Sequence, residues 1–194
     1  PTRVVASSAA TAATASAADM KTPILETERL ILRPLAVSDA EHIYKSWTSD
    51  PDVAQYMIWE LHENAEVTRE WLKGVEAGLE SDTSYVWGVV LKETGLLIGS
   101  AGIAFVTALS CFELGYNFMK RAWGMGFATE ASRAVLKYAR DTLLQRRFFC
   151  RHAVENVRSQ RVIEKLGFTF IGEGAYDSMT GKKHFICRDY ILEI

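Results

Sequence analysis

The sequence predicts a mixed α/β fold: one mainly antiparallel sheet flanked by helices, with one parallel strand pair. Three observations carry this. Runs of β type at 85–91, 96–105 and 110–118 follow one another through short turns, the pattern of an antiparallel meander. The stretch 111–143 then reads strand, tight loop, helix, and a short strand at 148–154 follows, so this crossover joins a parallel pair. A last hairpin, 169–176 with 184–192, turns at Thr180-Gly181.

Bulk properties set limits. A chain of 194 residues suits one domain with a sizeable core. Its 48% hydrophobic and 24% charged composition is ordinary for a soluble globular protein. The net charge of −2 supplies no basic field for nucleic acid. No apolar run approaches the roughly 20 residues that span a bilayer. Cys111, Cys150 and Cys187 are odd in number, widely spaced and without a CxxC or Cys/His pattern, so free thiols in a reducing, cytoplasmic compartment are expected, and no metal site. Residues 1–20 read as a low-complexity, disordered Ala/Ser/Thr leader, and 21–194 as the single folded domain. Met20 is read as the natural start after a vector remnant. The other origin, a transit peptide, is disfavoured because Arg3 is the leader's one basic residue.

Taken in order, the first strand centres on Leu30, Ile31 and Leu32 and stops at Pro34. Ser38-Asp-Ala-Glu41 has the spacing of a capping box for a helix reaching about residue 47, and Ser49-Asp-Pro51 punctuates it. Asn64 caps a helix at 65–78 that turns Val67, Trp71, Leu72 and Val75 inward. The aromatic stretch from Tyr56 to Trp59 between them is read as core. The turn 92–95 joins the first two meander strands. The helix at 126–143 buries Phe127, Ala131, Ala134, Val135, Tyr138, Ala139 and Thr142, and exposes Arg133, Lys137 and Arg140. A helix at 157–166 ends at Gly167, a suitable C′ glycine.

Two stretches carry chemistry. The loop Arg121-Ala122-Trp123-Gly124-Met125-Gly126 leads into Phe127 and Ala128 at a helix start. Alternate glycines permit a sharp turn, and the free N–H groups of a helix N-terminus suit a phosphate. Thirty residues on stands Asn156-Val-Arg-Ser159, continuing to Lys165-Leu-Gly-Phe168. Together the two stretches resemble the GNAT superfamily of acyl-CoA N-acyltransferases. The first matches its R/Q-x-x-G-x-G/A pyrophosphate motif and the second its N-x-x-S/A…K-L-G-F helix. The opening Glu26-Thr-Glu-Arg-Leu-Ile-Leu-Arg-Pro34 is similar to the RimJ/RimL-like branch. The likeness spans 25–194.

The resemblance implies a splayed parallel strand pair and an acetyl-CoA-dependent N-acetyltransferase. Its partners would be an acyl-CoA and a primary amine, on a protein N-terminus or a small molecule. A homodimer is left open. By resemblance, main-chain groups of Tyr116, Asn117 and Phe118 would line the pantetheine arm, backbone donors of the loop up to Ala128 would hold the pyrophosphate, and the Arg121 side chain would add charge. Asn156 and Ser159 would sit by the thioester.

The reaction needs a proton acceptor for the amine. Glu113, on the strand before the loop, Asp177, in the last hairpin, and water are the alternatives. Glu113 could equally be a solvated strand residue and Asp177 a turn residue. Ser159 is the candidate acid, or else a helix-start residue bonding free N–H groups. Many family members carry a tyrosine acid where this chain has Ile163, which excludes that role there. His152 and His184 read as structural. Two rival readings stand. Gly124-Met-Gly126-Phe-Ala128 also fits G-x-G-x-x-A, with Arg146 and Arg147 placed for the 2′-phosphate of NADP, as in an oxidoreductase. Antiparallel strands before the loop speak against it. The other rival is a non-catalytic acyl-CoA-binding protein of the same fold.

Overall fold

A computed structural model describes residues 22–194. The leader expected at 1–20 lies outside the described residues. Eight strands form one sheet in the order β1-β2-β3-β4-β5-β6-β8-β7. The strands are β1 Leu25–Glu26, β2 Leu30–Pro34, β3 Ser84–Leu91, β4 Leu96–Val106, β5 Cys111–Phe118, β6 Arg147–Ala153, β7 Thr169–Asp177 and β8 His184–Glu193. The helices are α1 Ala40–Ile43, α2 Pro51–Ala54, α3 Ala65–Ala77, α4 Phe127–Asp141 and α5 Val157–Lys165. Every neighbouring pair is antiparallel except β5 with β6. The antiparallel meander in front of the loop is incompatible with the doubly wound parallel sheet that the dinucleotide reading requires.

The β5–β6 pair makes the site. It pairs only at Phe112↔Phe148 and Glu113↔Phe149. Beyond those residues the strands part. β5 stays zipped to β4 as far as Phe118, while β6 stays zipped to β8 through Ala153. The resulting V has Glu113 at its apex and the loop after Phe118 at its mouth. One link crosses near the apex, Cys150 Sγ to the Leu114 carbonyl at 3.4 Å.

A single core holds the layers together. Tyr138 of α4 packs edge-on against Tyr85 and Trp87 of β3, and Phe127, Ala131, Val135 and Ala139 are buried beside them. Ile43, Trp47 and Leu72 from the first helices are fully buried in the same core.

Several local expectations need correction. The chain enters α1 through a 3-10 turn, Val37–Asp39, and leaves it through a π-helical turn, Tyr44–Thr48. The box expected at Ser38 and Glu41 does not form, and the first turn starts two residues earlier, after Ala36, whose side chain cannot cap. Asp39 accepts the Ala36 N–H at 2.9 Å and is gripped by Arg33 at 2.8 Å. A buried-edge arginine offers Asp39 more than a solvated serine does, and that shifts the start. Asn64 caps α3 as expected, accepting from the N–H groups of Glu66 and Val67. Leu72 is buried, but Val67 and Trp71 are exposed, and Thr68 takes the inward position by bonding Thr48 at 3.0 Å. Thr142 is exposed because α4 ends at Asp141. The stretch from Tyr56 to Trp59 is only half-buried, with Ile58 exposed. Its carbonyls are tied to the β7–β8 turn: Lys183 Nζ donates to those of Met57 and Trp59. Polar main-chain ties hold this segment together with Trp59, which packs against the core.

Candidate active site

The open edge of β5 is the first component. Successive residues of a strand aim their N–H and C=O groups at opposite neighbours. The Leu114 carbonyl faces β6, and the Met119 N–H reaches Ile98 of β4 at 2.9 Å. By this alternation Tyr116 and Phe118 present main-chain groups to the V, while those of Asn117 face β4. The Asn117 side chain is also engaged, accepting from Ser100 at 2.6 Å. The Phe118 carbonyl is taken by the Trp123 indole N–H at 2.8 Å. That leaves the groups of Tyr116 and the N–H of Phe118 for an added strand-like ligand.

The loop is the second component. Lys120, Arg121 and Ala122 form one 3-10 turn, with Ala122 buried. Gly124 and Gly126 both have positive φ, 78° and 81°. Gly126 is the N-cap of α4, and no side chain caps that end. The helical ladder begins with Glu130 N–H on the Gly126 carbonyl, so the N–H groups of Phe127, Ala128 and Thr129 have no intrahelical acceptor. Met125 is exposed at the loop tip. Arg121 is exposed too, with its Nε 3.0 Å from Met119 Sδ. Arg158 of α5 stacks on the Trp123 ring at 4.7 Å. Donors without an intrahelical acceptor, a dipole end and nearby guanidinium groups together suit a pyrophosphate.

The third component was hidden in the sequence. The Tyr116 hydroxyl lies 2.9 Å from Ser159 Oγ and 3.3 Å from the Ser159 carbonyl. Tyr116 was expected to contribute main chain only. Its side chain crosses from β5 to α5 and places a phenol beside the serine, while Ile163 is fully buried in the core. Burial holds the Tyr116 pKa well above the usual value, with Cys150 adding to it and the Ser159 bond opposing it. The phenol is therefore a neutral donor. Ser159 does not cap α5. Its own N–H is capped by Asn156 Oδ1 at 3.2 Å, which leaves the hydroxyl for Tyr116.

The two candidate bases stand apart. Glu113 and Tyr116 are three residues apart on one strand and point to opposite faces of the sheet. Glu113 lies 3.5 Å from Arg151 of β6, which lies 3.8 Å from Asp189 of β8. Burial raises the Glu113 pKa, Arg151 opposes that rise and Asp189 adds to it. Asp177 is exposed at the end of β7, three strand positions from β5, and its carboxylate bonds His184 Nδ1 at 2.6 Å. The structure thus joins Tyr116, Asn156 and Ser159, sets Glu113 at the apex behind them, and leaves Asp177 at the sheet edge. His152 is buried between the Ala153 carbonyl and the Tyr190 hydroxyl. The three cysteines are free and buried, and burial pushes the Cys187 thiol up to about 11 and Cys150 higher still. Among the described residues no group of side chains has the makings of a metal site, and no helix is long and apolar enough to cross a membrane.

The sequence profile of the Acetyltransferase (GNAT) domain matches residues 29–169. The chain belongs to the GNAT acetyltransferase family. It is 32% identical over 147 residues to YoaA of Bacillus subtilis, named as an uncharacterized N-acetyltransferase, covering 75% of this chain and 82% of that protein. Among solved structures it resembles the ribosomal-protein-S5-alanine acetyltransferase of Vibrio fischeri, with a TM-score of 0.74 at 17% identity over 88% of this chain and 96% of that one. It also resembles the microcin C7 self-immunity acetyltransferase MccE, solved with acetyl-CoA and AMP, with a TM-score of 0.76 at 17% identity over 87% and 94% of the two chains. These last two likenesses concern the fold.

The start of α4 is braced from the opposite end of the chain. Arg29, in the turn between β1 and β2, donates to the Met125 carbonyl at 3.0 Å and to Glu130 at 2.7 Å, and lies over the Phe127 ring at 4.5 Å. Thr27 donates to the same carboxylate at 2.6 Å. Arg29 lies 96 residues from Met125 in sequence, so its part in shaping the loop left no local signal. For Glu130, burial is the largest influence and raises the pKa, but the bonds from Thr27 and Arg29 together outweigh it and the net shift is downward. A carboxylate held below its unfolded value contributes stability above that value and loses it as pH falls through the folded one. Glu130→Gln is expected to flatten the fall in melting temperature between about pH 5 and about pH 3. Parallel slopes for variant and wild type in calorimetric scans would show that the brace carries no such charge.

Proposed function

We propose that this GNAT protein is an acetyl-CoA-dependent N-acetyltransferase that moves the acetyl group to a primary amine by direct attack on the thioester. The observation that carries the reading is the open V between β5 and β6 with the Tyr116–Ser159 hydroxyl pair on its flank. In this reading the N–H groups at the start of α4 and the loop hold the pyrophosphate, and Tyr116 and Phe118 offer main-chain partners to the pantetheine arm. The arm runs back from the mouth toward the apex, where a β5 N–H can face the developing oxyanion. The N–C bond forms and the C–S bond breaks. The proton of the attacking amine goes to a base, Glu113 or water, and the departing thiolate takes one from the hydroxyl pair.

The opening 26–34 and the RimJ/RimL-like likeness support the N-terminal amine of a protein as the first acceptor to try. The Vibrio fischeri neighbour is named for such an acceptor. A cytoplasmic setting is consistent with this reading. Acetyl-CoA is expected to bind and NADPH not, in calorimetric titrations of each. Thiol release with a panel of N-terminal peptides, polyamines and amino acids then tests turnover. Tight NADPH binding without acetyl-CoA binding would overturn the reading. Acetyl-CoA binding with no turnover on any amine would leave an acyl-CoA-binding protein.

A further inference from the structure

On the face of the sheet opposite the hydroxyl pair, three charged groups from three strands meet at the apex of the V: Glu113 of β5, Arg151 of β6 and Asp189 of β8. Arg151 is register-paired with Asp189, and Glu113 with Phe149, one inward-facing position before Arg151. The three side chains are mostly buried, with relative exposures of 33%, 26% and 23% in the order named. Arg151 Nε is inaccessible to solvent and has no hydrogen-bond partner among the described residues. It lies between the two carboxylates at ion-pair distance from both, 3.5 and 3.8 Å, and its guanidinium rests on the Phe149 ring at 4.7 Å. A buried donor left without a bond is costly. Such a guanidinium acts here as a shared charge and not as a clamp on either acid.

We propose that Arg151 and Asp189 are positioning residues for the acetyl transfer, holding Glu113 at the apex and setting how readily it takes the proton of the incoming amine. This rests on the acetyltransferase reading above. With one cation between two carboxylates the cluster keeps a net negative charge, which suits an ammonium group arriving at the apex. Glu113 alone of the two acids belongs to β5, the strand that lines the V. Asp189 is held from behind by Cys187 Sγ at 3.3 Å, and a Cβ at Gly174 would come within 2.8 Å of its carboxylate. That position therefore has to stay small. The other titratable groups near Glu113 are Cys111 on its own strand and Cys150 on β6, both thiols whose pKa burial raises. The facing residue of β4 is Ala104.

The opposite charges of the two helpers give a signed test. Removing the negative charge of Asp189, which raises the Glu113 pKa, should lower it, and removing the positive charge of Arg151, which opposes that rise, should raise it. The Glu113 carboxyl can be followed directly by carbon NMR in labelled protein, and the acidic limb of kcat/KM by thiol release. In Asp189→Asn both midpoints are expected to move down, and in Arg151→Gln up, each by about one pH unit. Arg151→Lys should restore the wild-type position, Glu113→Gln should abolish the limb, and acetyl-CoA affinity should be unchanged throughout. If Arg151→Gln does not fold, Asp189→Asn, which is isosteric, decides alone. Midpoints that stay put, that move the same way in both variants, or a limb that survives Glu113→Gln would overturn the inference while turnover itself stands. Absence of turnover on every amine, with acetyl-CoA bound normally, is the failure of the underlying reading, and the positioning role falls with it.

Discussion

Gly126→Val is expected to weaken acetyl-CoA binding by about 10²-fold or more in calorimetric titration. Two physical effects combine. Gly126 has φ 81°, and a β-branched residue held there costs on the order of 1–3 kcal/mol. The second effect is steric. A Cβ at this position already comes within 3.4 Å of the Arg29 guanidinium, so the added methyls must push Arg29 off the Met125 carbonyl or project over the free N–H groups of Phe127 and Ala128. Each charge-assisted hydrogen bond lost to a phosphate is worth roughly 1.5–3 kcal/mol, about 10- to 10²-fold in affinity. The fold is expected to survive with a lower melting temperature, by about 2–4 °C for each kcal/mol of strain. Gly126→Ala separates the effects, since it carries the strain without the branched methyls. Wild-type affinity in a folded Val variant would show that the pyrophosphate does not sit at this helix end.

Tyr116→Phe is expected to lower kcat by about 10²-fold, the low end of general-acid effects, with a small change in KM for acetyl-CoA. A group that acts mainly in the transition state shows in kcat. Ser159→Ala should cost less. The Tyr116 hydroxyl keeps the Ser159 carbonyl as an acceptor at 3.3 Å, and the α5 cap is untouched because Asn156 supplies it. Removing the phenol instead leaves the half-buried serine hydroxyl without its partner, a further cost in stability. Because the two hydroxyls act as a unit, the double variant should fall no further than about the Tyr116→Phe level. Wild-type turnover in folded Tyr116→Phe would assign the thiolate's proton to water and the phenol to packing.

The sequence alone determined the parts whose chemistry is local. Asn64 stands at a helix start and caps it. Gly95, Gly124, Gly126 and Gly167 hold positive φ where the pattern demanded turns and helix ends. The meander, the crossover and the final hairpin followed from period-two runs and turn residues. The order and spacing of the loop and the Asn156 stretch pointed to the acetyltransferase family that the comparisons show. What only the tertiary structure decided are relations between distant strands and helices. Which way Trp71 faces depended on Thr68 finding Thr48 across the bundle. Arg29 shapes the loop from the far side of the chain. Tyr116 reads as one more strand residue until α5 is laid over β5. The Glu113–Arg151–Asp189 cluster exists only because β6 and β8 bring their charges beside β5. Strand alternation tells which residues share a face, but not which strands lie side by side. The chemistry of this site is set by that second fact, because charges and hydroxyls act over a few ångströms of space whatever their separation along the chain.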